Sequence, residues 1–182
     1  MYKNLIEKTE KRMDSFNIMC EYLDTIDKPT ILETGCSRTE NSFGGDGMST
    51  LIFDAYINQK GGTFTSVDIS EINTNFARSK VSNLTNIVCS DSVKFLFNYN
   101  DKLIDLLYLD SYDLALGNPH PSTLHHIFEL TAIISKLNKR CMIAADDNLE
   151  NVGKGFYINE FMNHINCKKI YSGYQWIWIL ER

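Results

Sequence analysis

The sequence contains no apolar run that approaches the roughly 20 residues needed to cross a bilayer, so no membrane-spanning helix and no membrane partner are expected. It also lacks internal repeats, low-complexity tracts and linkers, which predicts a single domain over residues 1–182. Residues 1–8 alternate charged and apolar side chains and do not resemble a signal peptide.

Paired cysteines and an excess of positive charge are missing as well. The five cysteines are odd in number and have no short paired spacing, which predicts reduced thiols and a cytoplasmic location. Lysine and arginine number 18 against 23 acidic residues, a net charge of −5. Because phosphate contacts need clustered cations, we expect no nucleic-acid partner.

What the chain does have is a regular alternation of strand-like and helical patterns. Residues 3–25 place apolar side chains at helical spacing and form an N-terminal helical extension (residues 1–28), for which packing on the sheet is favoured over a substrate-side or dimer contact. Five strand-like runs follow, at residues 30–34, 63–70, 86–92, 104–110 and 141–148. Helical patterns separate them, at residues 48–59, 73–81, 93–97 and 121–137.

The end of the chain differs, because residues 168–171 and 174–180 form two further strand-like runs joined by Ser172 and Gly173. This pattern is typical of a closing hairpin. Together the elements predict an α/β three-layer sandwich, with a mostly parallel seven-stranded sheet and a C-terminal antiparallel hairpin. In such sheets ligands bind beyond the carboxyl ends of the strands, where this sequence places its acids.

The first strand carries the most specific signal. Residues 30–34 carry the acid Glu33 next to their last residue, Gly35 follows, and a polar loop leads to a helix start at residues 47–50. Glycine permits close backbone approach, and a carboxylate at this position suits a ligand that bears an ammonium or a sulfonium rather than a pyrophosphate. No G-x-G-x-x-G fingerprint follows the strand, so a nicotinamide-dependent oxidoreductase is a weaker alternative.

This stretch resembles motif I of the class I, Rossmann-like S-adenosylmethionine-dependent methyltransferases, in which an acid-x-Gly-x-Gly segment closes the first strand. Ser37 stands at the second glycine of that pattern, and the helix start lies further along the chain. The resemblance implies a Rossmann-like fold and S-adenosylmethionine as cofactor. It implies that the following residues hold this cofactor: Glu33, Gly35, Ser49, Asp68, Ile69, Asp91 and Ser92.

Two of these positions have separate arguments. A carboxylate after the second strand, Asp68, can accept hydrogen bonds from both ribose hydroxyls. Asp91 and Ser92 resemble the pair that meets the adenine edge in this family, although Asp and Ser are also common helix N-caps. Both roles can coexist at Asp91.

The ends of strands four and five bring more acids together. Asp110 follows one strand and the sequence Asp146-Asp147-Asn148 follows the other. Carboxylates at such short range repel one another unless a cation lies between them, and Mg²⁺ prefers oxygen ligands. We therefore predict a metal site of Asp110, Asp146, Asp147 and Asn148, with a solvated turn as the alternative. Which of Asp146 and Asp147 would be the ligand stays open.

The same acids resemble those of cation-dependent O-methyltransferases of the catechol, caffeoyl-CoA and macrocin types, in which a metal lowers the pKa of the acceptor hydroxyl. Asp110 is accordingly a predicted catalytic residue. His120, in a loop stiffened by Pro119 and Pro121, is a candidate general base, and a capping or exposed histidine is the alternative. Gly153-Lys154-Gly155 is interpreted as a flexible loop that offers a cation to an anionic substrate.

The sequence thus predicts an S-adenosylmethionine-dependent methyltransferase that methylates a small hydroxylated acceptor, such as a sugar, with Mg²⁺ assistance. The alternative from another class is a non-catalytic protein that binds the nucleoside but has lost the chemistry, which the altered motif I keeps open. The partner is a small molecule, and a homodimer is left open.

Overall fold

The computed structural model describes residues 1–46, 48–150 and 152–182. Its centre is one seven-stranded sheet with the strand order β3-β2-β1-β4-β5-β7-β6. The strands are β1 (Thr30–Thr34), β2 (Thr63–Asp68), β3 (Thr85–Cys89), β4 (Ile104–Leu109), β5 (Leu137–Ala145), β6 (Cys167–Ser172) and β7 (Trp176–Glu181). Strands β1 to β5 pair in parallel, whereas β7 pairs antiparallel with both β5 and β6. The predicted α/β architecture and the closing hairpin are confirmed.

The central strands are apolar on both faces because helices cover both. Leu106 and Tyr108 of β4 pack into a core on one face, and the intervening Leu107 and Leu109 pack into a second core on the other face. Every residue of β1 and β4 is buried. This burial on both faces explains why apolar residues follow one another without alternation at residues 31–32 and 106–109, as is typical of parallel strands inside three layers.

Seven α-helices connect and cover the strands in the described parts of the chain: α1 (Tyr2–Ile6), α2 (Met13–Leu23), α3 (Ser49–Lys60), α4 (Glu71–Lys80), α5 (Ser92–Phe97), α6 (His120–Ile133) and α7 (Phe156–Met162). Helix α3 ends where Gly61 and Gly62 take positive φ angles of 85° and 109°. Gly47, at the predicted start of the helix over residues 48–59, lies outside the described residues. Helix α7 is an element that the sequence patterns did not predict.

The N-terminal segment is not the single helix expected over residues 3–25. Helix α1 ends at Ile6, a 3₁₀ turn spans Glu10–Arg12, and α2 begins at Met13. The break follows from the Thr9 hydroxyl, which donates to the Ile6 carbonyl, and from Glu10, which has a φ of 50°. Phe16 and Met19 of α2 are fully buried in the first core, so the predicted packing on the sheet is confirmed. The break turns the Arg12 side chain into the interior, where it is 1% exposed.

No helix among the described residues is both long enough and apolar enough to traverse a bilayer.

Candidate active site

The ends of three neighbouring strands meet at one edge of the sheet. The amide of Gly35 donates to the Val67 carbonyl at 2.8 Å, and the amide of Asp110 donates to the Thr34 carbonyl at 2.9 Å. A Cβ placed on Gly35 would lie 2.4 Å from the Asp110 carbonyl oxygen. Gly35, with a φ of 79°, therefore lets the loops after β1 and β4 touch.

Glu33 lies beneath this edge. Its carboxylate is fully buried and accepts hydrogen bonds from the hydroxyls of Thr50 and Ser66, while its Oε1 has no partner among the described residues. Burial raises the pKa of Glu33 to about 7. Thr50 also accepts from the Ser37 amide at 2.8 Å, so Glu33 fastens the loop to α3. The residues that line the cavities above do not include Glu33, and its predicted cofactor contact stays a prediction.

Asp68 occupies the wall between two cavities. One of its oxygens accepts from the amide of Ser70 at 2.7 Å, and the other accepts from the amide of Cys36 at 3.2 Å. Its side chain therefore ties the loop after β2 to the loop after β1. Asp68 is 9% exposed and lines both cavities.

The first cavity has a volume of about 300 Å³, close to the lower end of the roughly 300–1,000 Å³ of small-molecule sites. Its lining includes most of the residues predicted to hold the nucleoside together with two aromatic rings: Val67, Asp68, Ile69, Asp91, Ser92, Ser111, Tyr112 and His125. Asp91 caps α5 by accepting from the Lys94 amide at 2.8 Å, so its capping role is observed.

The floor of this cavity is a hydrogen-bonded chain. His125 Nε2 lies 3.0 Å from the Ser92 hydroxyl and 3.3 Å from the buried carboxylate of Glu129. The hydrogen bond with Glu129 raises the pKa of His125; burial opposes this shift. Glu129 also accepts from the hydroxyls of Ser111 and Thr34. This network fixes Ser92 and Ser111 on the cavity wall.

The second cavity is a narrow acidic cleft of about 40 Å³. It shares Asp68 and Ser111 with the first cavity, so the two cavities are adjacent. Its remaining lining comes from the 3₁₀ turn, the start of α3 and the loops after β1, β4 and β5: Arg12, Gly35, Cys36, Arg38, Gly45, Asp46, Ser49, Asp110, Asp113, Asp146 and Asp147. Ser49 and Gly35, both predicted to hold the cofactor, thus lie here rather than in the first cavity.

Asp110, Asp146 and Asp147 come together as predicted, with carboxylate oxygens within 4.8 Å of one another. Two cationic side chains already occupy this group. Arg12 binds Asp146 through Nε and Nη2 at 2.8–3.0 Å, and Lys154 Nζ lies 2.5 Å from Asp110 and 2.9 Å from Asp147. The repulsion that led to the metal prediction is therefore relieved by residues of the chain itself.

The electrostatics of this group follow from burial and from these contacts. Burial opposes the charge on Lys154, yet the carboxylates of Asp110 and Asp147 raise its pKa above the usual value. Burial likewise opposes the charge on Asp147, but Lys154 and the Tyr174 hydroxyl hold the pKa of Asp147 below its usual value. As folded, this set of charged pairs does not fit the coordination shell of a divalent cation, because five of its six carboxylate oxygens are already bound by Arg12, Lys154 or Tyr174.

Asn148 contributes to the loop rather than to the carboxylate group. Its amide nitrogen donates to the carbonyls of Ala145 and Asp146, and its Oδ1 accepts from the Gly155 amide at 2.8 Å. The side chain is 2% exposed. Its predicted role as a metal ligand has no support in this arrangement, because the only oxygen of the side chain is used by the loop.

His120 lies apart from both cavities. Its Nδ1 is 2.8 Å from the Tyr157 hydroxyl, the two rings stack, and both line a separate small cavity beside α7. Neither crevice wall includes His120 among the described residues, so its role as general base stays a prediction that this geometry does not support.

Arg12 and Lys154 are the site residues that the sequence patterns missed or misassigned. Arg12 lies in what read as a continuous helix, where a charged residue predicts an exposed face. Lys154 was expected in a flexible loop, yet its side chain is 1% exposed. The doubled acid at residues 146–147 was the available signal, since buried carboxylates require buried cations.

Comparison with solved structures identifies the fold. No family model and no curated protein sequence matches the chain. The O-methyltransferase NovP is 13% identical and superposes with a TM-score of 0.67 over 99% of this chain and 80% of NovP. The chain has the class I methyltransferase fold. Magnesium protoporphyrin IX methyltransferase from Synechocystis PCC 6803, solved with bound S-adenosylmethionine, is 12% identical (TM-score 0.56; 92% of this chain, 79% of that one). An rRNA methylase from Streptococcus thermophilus is 11% identical (TM-score 0.54; 92% and 95%).

Proposed function

We propose that this protein is an S-adenosylmethionine-dependent methyltransferase that methylates an oxygen of a small hydroxylated acceptor. The observation that carries the proposal is the position of Asp68, between a cavity lined by Tyr112 and His125 and a narrow cleft rich in carboxylates. We assign the nucleoside to the first cavity and the sulfonium-bearing amino-acid moiety to the cleft, so that Asp68 would accept hydrogen bonds from the ribose hydroxyls between them.

The acidic cleft suits this chemistry. The acceptor oxygen forms a bond to the methyl carbon as the carbon–sulfur bond breaks, and S-adenosylhomocysteine leaves as a neutral thioether. The proton of the hydroxyl passes to a carboxylate of the cleft or to water. Asp110 and Asp147 face the space where the positive sulfonium would lie, which supports binding of the cationic cofactor over its neutral product.

An oxygen acceptor is favoured over a large nucleic acid by charge and by shape. The net charge of −5 and the acids around the cleft disfavour a phosphate backbone, although rRNA methylases share the fold. The similarity to NovP, named as an O-methyltransferase, supports the same choice. A sugar hydroxyl remains our preferred acceptor, on the resemblance of Asp146 and Asp147 to the macrocin-type enzymes.

Calorimetry with S-adenosylhomocysteine tests the cofactor assignment. We expect saturable binding by the wild-type protein, at least about tenfold weaker binding by Asp68→Asn because a charge-assisted hydrogen bond is lost, and no change in Asp14→Asn, which alters an exposed acid of α2. Absence of heat and of a thermal shift in the wild type would contradict the proposal. Transfer of a labelled methyl group to a panel of hydroxylated acceptors separates the enzyme from a non-catalytic nucleoside-binding protein.

A further inference from the structure

The carboxylates of Asp110, Asp146 and Asp147, which we term the acid cage, hold two buried cations. Lys154 Nζ bridges Asp110 and Asp147, and its side chain is 1% exposed. Arg12 donates paired hydrogen bonds to the Asp146 carboxylate, and its Nη2 lies 3.5 Å from Asp147 Oδ1. All three carboxylates are thus bound by cationic groups of the chain.

We infer that the ammonium of Lys154 is a built-in substitute for a divalent cation, so that the acid cage binds no Mg²⁺. An ammonium between two carboxylates supplies the positive charge that keeps them together, as a hard metal ion would. The inference concerns cation binding and does not rest on the proposed methyl transfer.

The backbone around Lys154 holds its side chain in place. The Lys154 amide donates to the Asp147 carbonyl, the Gly155 amide donates to the Asn148 side chain at 2.8 Å, and the Gly153 carbonyl accepts from Thr123 at 3.1 Å. A Cβ on Gly153 would lie 2.4 Å from Asn148 Oδ1, so residues 148 and 153 are in close contact. Lys154 is therefore presented to the cage by a packed turn rather than by a free loop.

The charge count opposes a further cation. Three carboxyl groups face two positive groups, so the cage carries at most one net negative charge in a largely buried setting. A divalent ion added to this set would leave the cage with a net positive charge next to Lys154 and Arg12. To bind, it would have to displace Lys154 and leave that ammonium buried without its partners.

Titration of the wild-type protein with Mn²⁺, followed by the electron paramagnetic resonance of the free ion, tests the inference directly. We expect only weak binding, unchanged by Asp147→Asn, as for ions scattered over an acidic surface. One saturable site with a micromolar dissociation constant that Asp147→Asn abolishes would overturn the inference.

A second variant tests the substitution itself. Lys154→Met keeps the length of the side chain and removes its charge, so we expect it to gain one Mn²⁺ site at least about tenfold tighter than any in the wild type. Lys139→Met, which removes an exposed lysine at the far end of β5, should gain none. A folded Lys154→Met protein with no added Mn²⁺ affinity would overturn the idea that Lys154 takes the place of a metal ion. If this variant does not fold, the wild-type titration still decides whether the acid cage binds a metal.

The proposed function is tested separately. Binding of S-adenosylhomocysteine reports the cofactor site whether or not the acid cage takes a metal. Where methyl transfer is detected, we expect the rate to be unchanged by EDTA, and loss of that rate on chelation, restored by Mg²⁺, would contradict the metal-free cage while leaving the methyltransferase assignment intact.

Discussion

Arg12 and Asp146 are 134 residues apart in the chain, yet Arg12 makes three hydrogen bonds of 2.8–3.0 Å to the Asp146 carboxylate in the interior. The same guanidinium donates to the carbonyls of Gly44 and Gly45 in the loop before α3. One side chain thus joins the N-terminal segment, the loop after β1 and the end of β5. Arg12 and Asp146 both line the acidic cleft, so the wall of the cleft depends on this contact.

Replacing Arg12 by Met should therefore destabilise the protein strongly. Removal of one partner of a buried ion pair costs about 3–5 kcal/mol, because the remaining charge is left uncompensated. Arg140→Met is the matched control: Arg140 and its partner Glu181 are each 61% exposed, and such pairs contribute about 0–1 kcal/mol. Urea denaturation measures the loss of unfolding free energy in both variants. Equal losses would contradict the prediction, because they would mean that breaking the Arg12 pair leaves no uncompensated buried charge.

Gly35→Ala should disrupt the crossing of the loops after β1 and β4. The new Cβ would collide with the Asp110 carbonyl, and alanine disfavours the φ of 79°. We expect a loss of about 2–5 kcal/mol, since strain and overpacking add. Gly117→Ala provides the comparison, because nothing lies within 4 Å of its Cβ position. A Gly35→Ala protein as stable as Gly117→Ala would contradict the close contact.

The pKa values of the neighbouring residues His125 and His126 are shifted in opposite directions. The hydrogen bond with Glu129 raises the pKa of His125, whereas burial lowers the pKa of His126 to about 4. Proton NMR of the imidazole rings should therefore show His125 titrating above 6.5 and His126 unchanged until the pH approaches 4. Glu129→Gln should lower the pKa of His125, and coincident titrations of the two rings would refute the assignment.

The lowered pKa of His126 also predicts how the stability of the protein changes with pH. The unfolded chain protonates His126 near 6.5, whereas the folded protein does so only near 4. The unfolded state therefore binds more protons in this window, and the contribution of His126 to stability is lost as the pH falls from 6.5 toward 4, by up to about 3 kcal/mol.

The sequence predicted the sheet well for a physical reason. Strands β1 and β4 are buried on both faces, so their apolar residues follow one another without alternation, and the closing hairpin carries its own turn at residues 173–175. The broken N-terminal helix was not predictable, because its apolar spacing continues across the break. The break lies at Glu10, which takes a positive φ that no periodicity shows.

The acids of the candidate site were predicted from the sequence, whereas its cations were not. Strand-end acids meet because parallel strands end at one edge, so Asp68, Asp110 and Asp147 are neighbours as expected. The cations that join them come from distant segments, residue 12 and residue 154, whose spatial position depends on tertiary packing. A residue type alone does not tell whether its charge is compensated by solvent, by a metal or by another side chain.

Glu33→Gln should change the pH dependence of stability. The folded pKa of Glu33 is about 7, above the ordinary 4.5, because burial disfavours the ionised form. Glu33 thus contributes stability below pH 4.5 that is lost as the pH rises through 7, up to about 3 kcal/mol. Urea denaturation at pH 5 and pH 8 should show a smaller decline for Glu33→Gln than for the wild type. An equal decline in both proteins would argue that Glu33 is ionised throughout.

Two substitutions at Asn148 distinguish a structural amide from a metal ligand. The nitrogen of this amide donates to the carbonyls of Ala145 and Asp146, and a carboxylate cannot replace those donors. Asn148→Asp and Asn148→Ala should therefore both lower the free energy of unfolding, by about 1–3 kcal/mol, because buried carbonyls lose their partners. A metal ligand would respond differently, since an aspartate at residue 148 would keep the oxygen and strengthen cation binding. Thermal denaturation with and without Mn²⁺ measures both effects, and stabilisation of Asn148→Asp by the ion would restore the ligand role.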